Sequence, residues 1–343
     1  MEDCKVNVFS STEFLPPSVM EEVTKSRLND PERALRTAQT RRRRTQLAPR
    51  GRLNVLAADH PARRVTKIGA RPLAMADRHD LLARICRVMT SEVVDGVMAS
   101  MDILEELLLL HDILQQSGKE GFLDDKVLIA SLNRGGLAGC CWEMDDPVTG
   151  GTPAACTQWG LDGGKFLLRI CDDDPGSLKT LLAAAQAVNE LNALRLPTFL
   201  EPLPVVRQDN SFKVVKTPEA LAQIAGVASA LGDSSRYLWL KLPYCDDYDI
   251  VAKATTLPIL LLGGESSGDP ASFLRQIESG LAAGPSVRGA LVGRNVLYPG
   301  DADPLGMATA VGAIIHEGAT IEQAVDRLTA QRGRDLVSFP LKG

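Results

Sequence analysis

The sequence predicts a (β/α)8 barrel, and three observations carry that expectation. The chain has 343 residues, beyond the usual single domain yet within reach of one α/β barrel. From residue 53 onward, eight short, apolar, β-prone runs recur, and helix-like segments separate most of them. Such runs read as parallel βαβ units buried on both faces, and eight in one domain favour a closed barrel over an open sheet.

Residues 1–50 stand apart as an Arg-rich extension that ends in ERALRTAQTRRRRTQLAPRGR, with Arg41 to Arg44 consecutive. A cluster of that kind suits an anion, nucleic-acid or partner contact, and it equally suits a solvated arm or a helix packed on the barrel exterior. The barrel is expected over 51–335. Its first strand is LNVLAAD (53–59), with the helix RHDLLARICRVMTSE (78–92) after it. VDGVMAS (94–100) leads into MDILEELLLLHDILQQ (101–116). KVLIASL (126–132) precedes NRGGLAGCCWEMDDPVTGG (133–151), a glycine-rich stretch expected to be an active-site loop. KFLLRIC (165–171) is followed by the helix DPGSLKTLLAAAQAVNELNAL (174–194), and TFLEPL (198–203) by TPEALAQIAGVASAL (217–231). YLWLKL (237–242) and PILLLGG (258–264) are strands six and seven, and PASFLRQIESGLAA (270–283) is the next helix. GALVGR (289–294) is the eighth strand, PLGMATAVGAIIHEG (304–318) closes the barrel, and 336–343 is a tail. No internal sequence repeat accompanies this recurrence.

Composition narrows the class. Apolar residues make up 45% and charged ones 24%, enough for a sizeable core and against global disorder. A net charge of −5 argues against a whole-protein nucleic-acid binder. No apolar run approaches the roughly 18 residues of a membrane span. The start, MEDCKVNVFSS, lacks the basic and apolar regions of a signal peptide, so a cytoplasmic protein is expected. The seven cysteines (Cys4, Cys86, Cys140, Cys141, Cys156, Cys171, Cys245) are odd in number and lack CxxC spacing, which suits a reducing compartment. The four histidines, His60, His79, His111 and His316, form no HxxxH or HExxH pair, so metal-free chemistry without a cofactor is expected.

In such a barrel the chemistry sits at the C-terminal ends of the strands. That rule selects Asp59 at the end of the first run, Glu201 late in the fifth and Lys241 at the end of the sixth. It also selects Gly263 and Gly264 at the end of the seventh, and Gly293 and Arg294 at the end of the eighth. Lys165 opens the fourth run, and alternation puts it on one face with Leu167 and Arg169, so that an inward Arg169 would point into the mouth above Lys165. A lysine at the end of YLWLKLPY (237–244) is costly to bury while charged and unpaired. Imine formation is a chemistry this set can run. A neutral Lys241 amine attacks a carbonyl, Lys165 is the nearby cation that lowers its pKa, and Glu201 shuttles protons. Asp59 orients a hydroxyl or assists carbon–carbon cleavage. The glycines after strands seven and eight match the barrel's common phosphate site, and Arg294 adds a charge-assisted contact.

Simpler readings stand beside each of these. Lys241 can snorkel to a surface, Glu201 can serve only as a buried ion-pair partner of Lys165, and GGESSGD (263–269) can be an ordinary turn and helix cap. Trp239 and Tyr244 read first as packing residues, although Tyr244 is close enough in sequence to reach the mouth.

Over roughly residues 53–318 the chain resembles the class I aldolases of the deoxyribose-phosphate, tagatose-bisphosphate and archaeal-type fructose-bisphosphate group. YLWLKLPYCDDYDIVAKATTLPILLLGG is similar to that family's sixth strand, with its Schiff-base lysine, through to the glycines of strand seven. ALVGRNVLYPGDADPLGMATAVGAIIHEG is similar to the eighth strand and its phosphate-binding arginine loop, and LAADHP to the first-strand Asp-His motif. DGGKFLLRICDDDP and LPTFLEPLP resemble the strands of tagatose-bisphosphate-type and sulfosugar-phosphate aldolases that carry a lysine and a glutamate.

The resemblance implies Lys241 as the imine-forming lysine, with Lys165, Glu201 and Asp59 around it. It implies phosphate binding by Gly264, Gly293 and Arg294, with Gly263 expected beside them, and His60, Arg169 and Tyr244 are the further candidates for substrate contacts. Departures are Pro61-Ala62-Arg63 after the histidine, where relatives often have glycine, the arginine arm and the 133–151 loop. Within the group the chain most resembles an actinobacterial subfamily linked to inositol catabolism. That implies cleavage of 2-deoxy-5-keto-gluconate 6-phosphate to dihydroxyacetone phosphate and malonate semialdehyde, with Arg63, Arg134 or Arg169 serving a substrate carboxylate. The expected partner is a small phosphorylated sugar, without membrane or nucleic acid, and relatives of this kind are commonly homo-oligomers. Two other readings are a barrel phosphosugar isomerase or epimerase that uses Glu201 without a covalent lysine, and a non-catalytic sugar-phosphate sensor that reaches a partner through its arginine arm.

Overall fold

Short runs of Leu, Val, Ile and Ala favour strands, and a cap residue followed by proline starts many of the helices that alternate with them. Thr152-Pro153, Thr217-Pro218, Asp269-Pro270 and Asp303-Pro304 all begin helices this way, each cap side chain accepting a backbone N–H from the first turn. In the computed structural model, residues 9–209, 211–266 and 268–330 are described. Cys4 and the tail expected at 336–343 lie outside them.

Among the described residues three helices precede the barrel: α1 (Ser11–Phe14), α2 (Pro17–Asn29) and α3 (Arg33–Thr40). There follow β1 (Leu53–Ala57), α4 (Arg78–Met89), β2 (Gly96–Ala99), α5 (Met101–Gln116), β3 (Val127–Ser131) and α6 (Pro153–Gln158). Next come β4 (Gly163–Ile170), α7 (Gly176–Ala193), β5 (Thr198–Gln208), β6 (Ser211–Val214), α8 (Pro218–Ser229), β7 (Leu238–Pro243) and α9 (Tyr248–Lys253). The chain continues through β8 (Ile259–Leu262), α10 (Pro270–Ala282), β9 (Val287–Val292), α11 (Arg294–Leu297), α12 (Pro304–Gly312) and α13 (Ile321–Ala330).

All eight expected runs are strands, and they pair in parallel in the order β4-β3-β2-β1-β9-β8-β7-β5. Pairing of β4 with β5, Lys165 opposite Phe199 and Leu167 opposite Glu201, closes the ring. The fold is therefore a (β/α)8 barrel. β6 was not foreseen: β5 runs on past its barrel portion and folds back, placing Val205 opposite Val214 and Gln208 opposite Ser211 in an antiparallel hairpin.

Alternation sorts the core into two parts. Outward-facing residues meet the helices in a large apolar layer, while Leu53, Val55, Ala57, Met98, Val127, Ile129, Phe199, Leu260 and Leu291 fill the interior. The next inward positions toward the C-terminal end are polar: Asp59 beyond β1, Ser131 on β3, Lys165 on β4, Glu201 on β5 and Lys241 on β7. A polar layer thus rests on an apolar floor.

The arginine run closes the opposite end of the barrel. Arg41, its side chain fully buried, pairs with Asp162 at 3.1 Å, Arg42 with Asp125 at 2.8 Å, Arg43 with Asp162 at 3.1 Å and Arg44 with Asp95 at 3.1 Å. These aspartates lie just before β4, β3 and β2. Leu47 and Ala48 then pack against the interior core from below. Among the described residues, no helix is long and apolar enough to cross a membrane.

Candidate active site

The cavity at the C-terminal mouth has a volume of about 310 Å³, and its lining includes Asp59, His60, Lys165, Glu201, Lys241 and Arg294 together with Gly263, Gly264 and Gly293. Lys165, Glu201 and Lys241 reach it from inward positions within their strands, and Asp59, the glycines and Arg294 from the loops just after theirs. β4, β5 and β7 are adjacent in the ring, so inward positions on them place Lys165, Glu201 and Lys241 side by side.

Glu201 Oε2 lies 3.0 Å from Lys241 Nζ and 2.9 Å from Lys165 Nζ, so one carboxylate oxygen serves two amines. Lys165 Nζ is also 3.0 Å from Asp59 Oδ2, which lies 3.0 Å from Ser131 Oγ. All four charged residues are buried or nearly so: Lys165 is 3% exposed, Lys241 6% and Glu201 8%.

The sharing is unequal, and it drives the two lysines apart. Burial opposes charge on both. For Lys165, Asp59 and Glu201 together more than offset burial, and its pKa rises. For Lys241, burial outweighs its attraction to Glu201, the neighbouring Lys165 cation adds to the effect, and its pKa falls below the ordinary lysine value. Burial also works against the Glu201 carboxylate, but Lys165 and Lys241 hold its pKa down to about 2. Asp59 is likewise held well below the usual carboxylate range, burial being overcome by Lys165, with His60 and Lys241 assisting. His60 stays neutral: burial, with Arg294, Lys241 and Lys165 nearby, takes it down to about 3 despite Asp59. The arrangement supplies an ionised acceptor, a charged ammonium and an amine biased toward its nucleophilic form.

At the other side of the cavity Gly264 has φ +64°, a left-handed conformation that glycine adopts without strain. Gly293 admits no side chain, because a Cβ would fall 2.4 Å from the Ala57 carbonyl oxygen and 2.5 Å from His60 Cε1. Arg294 Nη1 lies 3.6 Å from the exposed Glu265 carboxylate, while its Nε is buried with no hydrogen-bond partner. Glycine backbone and a guanidinium beside it suit an anionic group.

Two expected contacts lie elsewhere. Arg169 keeps its place in the inward alternation with Lys165 and Leu167, but loop 133–151 takes its guanidinium. Glu143 Oε1 pairs with its Nη1 at 2.6 Å and the carbonyls of Gly135 and Glu143 accept from its Nη2, so it is tied beneath the loop and does not line the cavity. Tyr244 stacks on Tyr248, ring centroids 5.6 Å apart, away from the lining. Of the three arginines considered for a carboxylate, Arg134 donates to the Ala62 carbonyl in a separate cavity, whereas Arg63 lines the main one.

Ser131 and Lys216 were missed. Ser131 follows Val127 and Ile129 on the inward face of β3, so the strand-end rule would have selected it had the run been read to its last inward residue. Lys216 follows the unforeseen hairpin.

Comparison with known proteins agrees with this architecture. Residues 51–314 match the family described as Cgl0159-like. The crystal structure of Cgl0159 from Corynebacterium glutamicum is 36% identical, covers 90% of this chain and 100% of that chain, and superposes with a TM-score of 0.83. More distant is an archaeal fructose-1,6-bisphosphate aldolase with its catalytic lysine covalently bound to the carbinolamine intermediate, 22% identical over 82% of this chain and 99% of that one, TM-score 0.54. The fructose-bisphosphate aldolase from Slackia heliotrinireducens is 15% identical over 98% and 97% of the two chains, TM-score 0.60. At these identities the two aldolases share the barrel fold with this chain. By the extent of the family match and the likeness to the corynebacterial structure, the chain belongs to the Cgl0159-like family.

Proposed function

We propose that the protein is a class I aldolase, a lyase that cleaves a phosphorylated keto sugar or keto sugar acid through a Schiff base on Lys241. One observation carries this reading: Lys241 and Lys165 share Glu201, and the surroundings bias the first toward a neutral amine and the second toward a charged one. A site built only for ion pairing has no need to set two lysines against each other.

In this mechanism the Lys241 amine adds to the substrate ketone and forms a carbinolamine. Glu201, 3.0 Å from Nζ, relays the protons needed to expel water. The resulting iminium is the electron sink. A base, Glu201 or Asp59, takes the proton from the hydroxyl two carbons from the imine carbon. The carbon–carbon bond breaks, its electron pair enters the iminium as an enamine, and an aldehyde leaves. Protonation of the enamine and hydrolysis release dihydroxyacetone phosphate and restore Lys241. Lys165, held charged, stabilises the ionised carboxylates throughout. Gly263, Gly264, Gly293 and Arg294 hold the phosphate.

The substrate we favour is 2-deoxy-5-keto-gluconate 6-phosphate, on the resemblance to the subfamily linked to inositol catabolism. The archaeal relative with a lysine-bound carbinolamine supports the covalent route. The test is borohydride trapping with dihydroxyacetone phosphate in the presence of EDTA, read by peptide mass spectrometry. A reduced adduct on Lys241, absent from Lys241→Met, is expected. Binding of the phosphate compound without an adduct would overturn the proposal and leave an isomerase without a covalent lysine as the better reading.

A further inference from the structure

We propose that Lys216 is a binding residue for the anionic group of the substrate, acting with Arg294, and that the β5–β6 hairpin delivers it. This deepens the reading above by adding a ligand to the phosphate end of the same cavity.

The argument starts from the length of β5. It has 11 residues where the other barrel strands have 4 to 8, and its excess leaves the wall, turns and returns as β6. The hairpin is anchored beneath by Phe212 and Val214, which pack in a cluster with Leu203, Val205 and Leu262. On its flank the Arg207 guanidinium lies 4.7 Å from the Phe212 ring centroid and pairs with Asp174 at 2.5 Å.

Lys216 lies between two fixed points. Val215 N–H donates to the Pro204 carbonyl at 2.9 Å, and Thr217 caps α8 by accepting the Ala220 N–H. The backbone is therefore held on both sides, and freedom remains only in the side chain. That side chain lines the cavity, and its ammonium lies 3.8 Å from where a Cβ on Gly264 would stand. It crosses from the fifth strand's loop, over β7, to the glycines after β8.

Among the described residues Lys216 has no hydrogen bond or ion pair, while Arg294 beside the same glycines has a buried, unpartnered Nε. Two cations converging on a glycine turn, one unpaired and the other facing a single exposed carboxylate at 3.6 Å, match a phosphate monoester, which carries close to two negative charges at neutral pH. A flexible ammonium complements the planar guanidinium, because its three donors can follow whichever oxygens Arg294 leaves free.

The test uses the full-length protein and inorganic phosphate as probe. Binding is measured by calorimetry on wild type, Lys216→Met and Lys216→Arg, with thermal melts to show that each is folded. Lys216→Met is expected to weaken phosphate binding at least about tenfold, and Lys216→Arg to retain most of it. With dihydroxyacetone phosphate and unphosphorylated dihydroxyacetone, the substitution should raise the concentration needed for half-maximal trapping of the first and leave the second unchanged. Unaltered phosphate binding in Lys216→Met, or no phosphate binding by wild type, would overturn the proposal. The Lys241 adduct is read separately: its absence would sink the aldolase reading and leave the phosphate result standing.

Discussion

Removing Lys165 tests the electrostatic core of the site. Its ammonium and that of Lys241 lie 2.9 and 3.0 Å from the same Glu201 oxygen, so the two nitrogens are no more than about 6 Å apart. At an effective dielectric of about 20, two unit charges at that separation repel by about 3 kcal/mol. Lys165→Met deletes this repulsion and leaves Lys241 as the ammonium paired with Glu201. The Lys241 pKa should therefore rise, and its neutral fraction at pH 7 should fall by up to about 100-fold. The assay follows acylation of Lys241 by a small amine-reactive reagent across a pH series, quantified by peptide mass spectrometry. It reads the amine itself, independent of any proton transfer by Lys165. A midpoint in Lys165→Met equal to or below that of wild type would refute the claim that Lys165 lowers the Lys241 pKa.

Other predictions follow from the same geometry. Asp162→Ala leaves the buried Arg41 guanidinium without its carboxylate and should lower stability by about 3–5 kcal/mol, whereas Arg43→Ala, at 44% side-chain exposure, should cost less than about 1 kcal/mol; urea titrations compare them. Gly293→Ala forces a methyl against the Ala57 carbonyl and His60, and should lower stability by about 1–3 kcal/mol and weaken dihydroxyacetone phosphate binding, measured by melting and calorimetry. His60, held neutral down to about 3, takes up its proton only in the unfolded chain between that value and about 6.5. The unfolded state then binds more protons, so stability falls on acidification, by up to about 1.4 kcal/mol per pH unit for this residue. In His60→Asn the loss between pH 7 and 5 should be smaller, and an unchanged slope would contradict the assignment.

The barrel was legible because both of its periodicities are local. A run such as KVLIASL announces a strand buried on both faces, and the end of each strand can be counted without knowing its neighbours. The same counting placed Asp59, Glu201 and Lys241 at the mouth, and alternation from Lys165 to Arg169 set their neighbour on the inward face. The Lys165–Glu201 pairing was among the readings the sequence offered, but partnerships with loop residues were not legible. Nothing near Arg169 indicates that Glu143, 26 residues earlier in a glycine-rich loop, takes its guanidinium. The hairpin did leave a signal: PVVRQDNSFKVV has two β-prone arms about a polar turn, and Lys216 becomes visible only once those arms are paired. The four arginines showed their charge and hid their partners, which are three aspartates scattered between residues 95 and 162.

That last feature sets an order of assembly. Arg41 to Arg44 leave the ribosome before the barrel strands, but the aspartates that receive them arrive with the second, third and fourth of those strands. The plug cannot seat until Asp162 has been made, so a segment synthesised ahead of the barrel is completed after three of its strands. Its stability depends on the barrel's, and a truncation at residue 50 would leave Asp95, Asp125 and Asp162 without their arginines at the sealed end. Composition draws a boundary there. The ion pairs tie extension and barrel together across it.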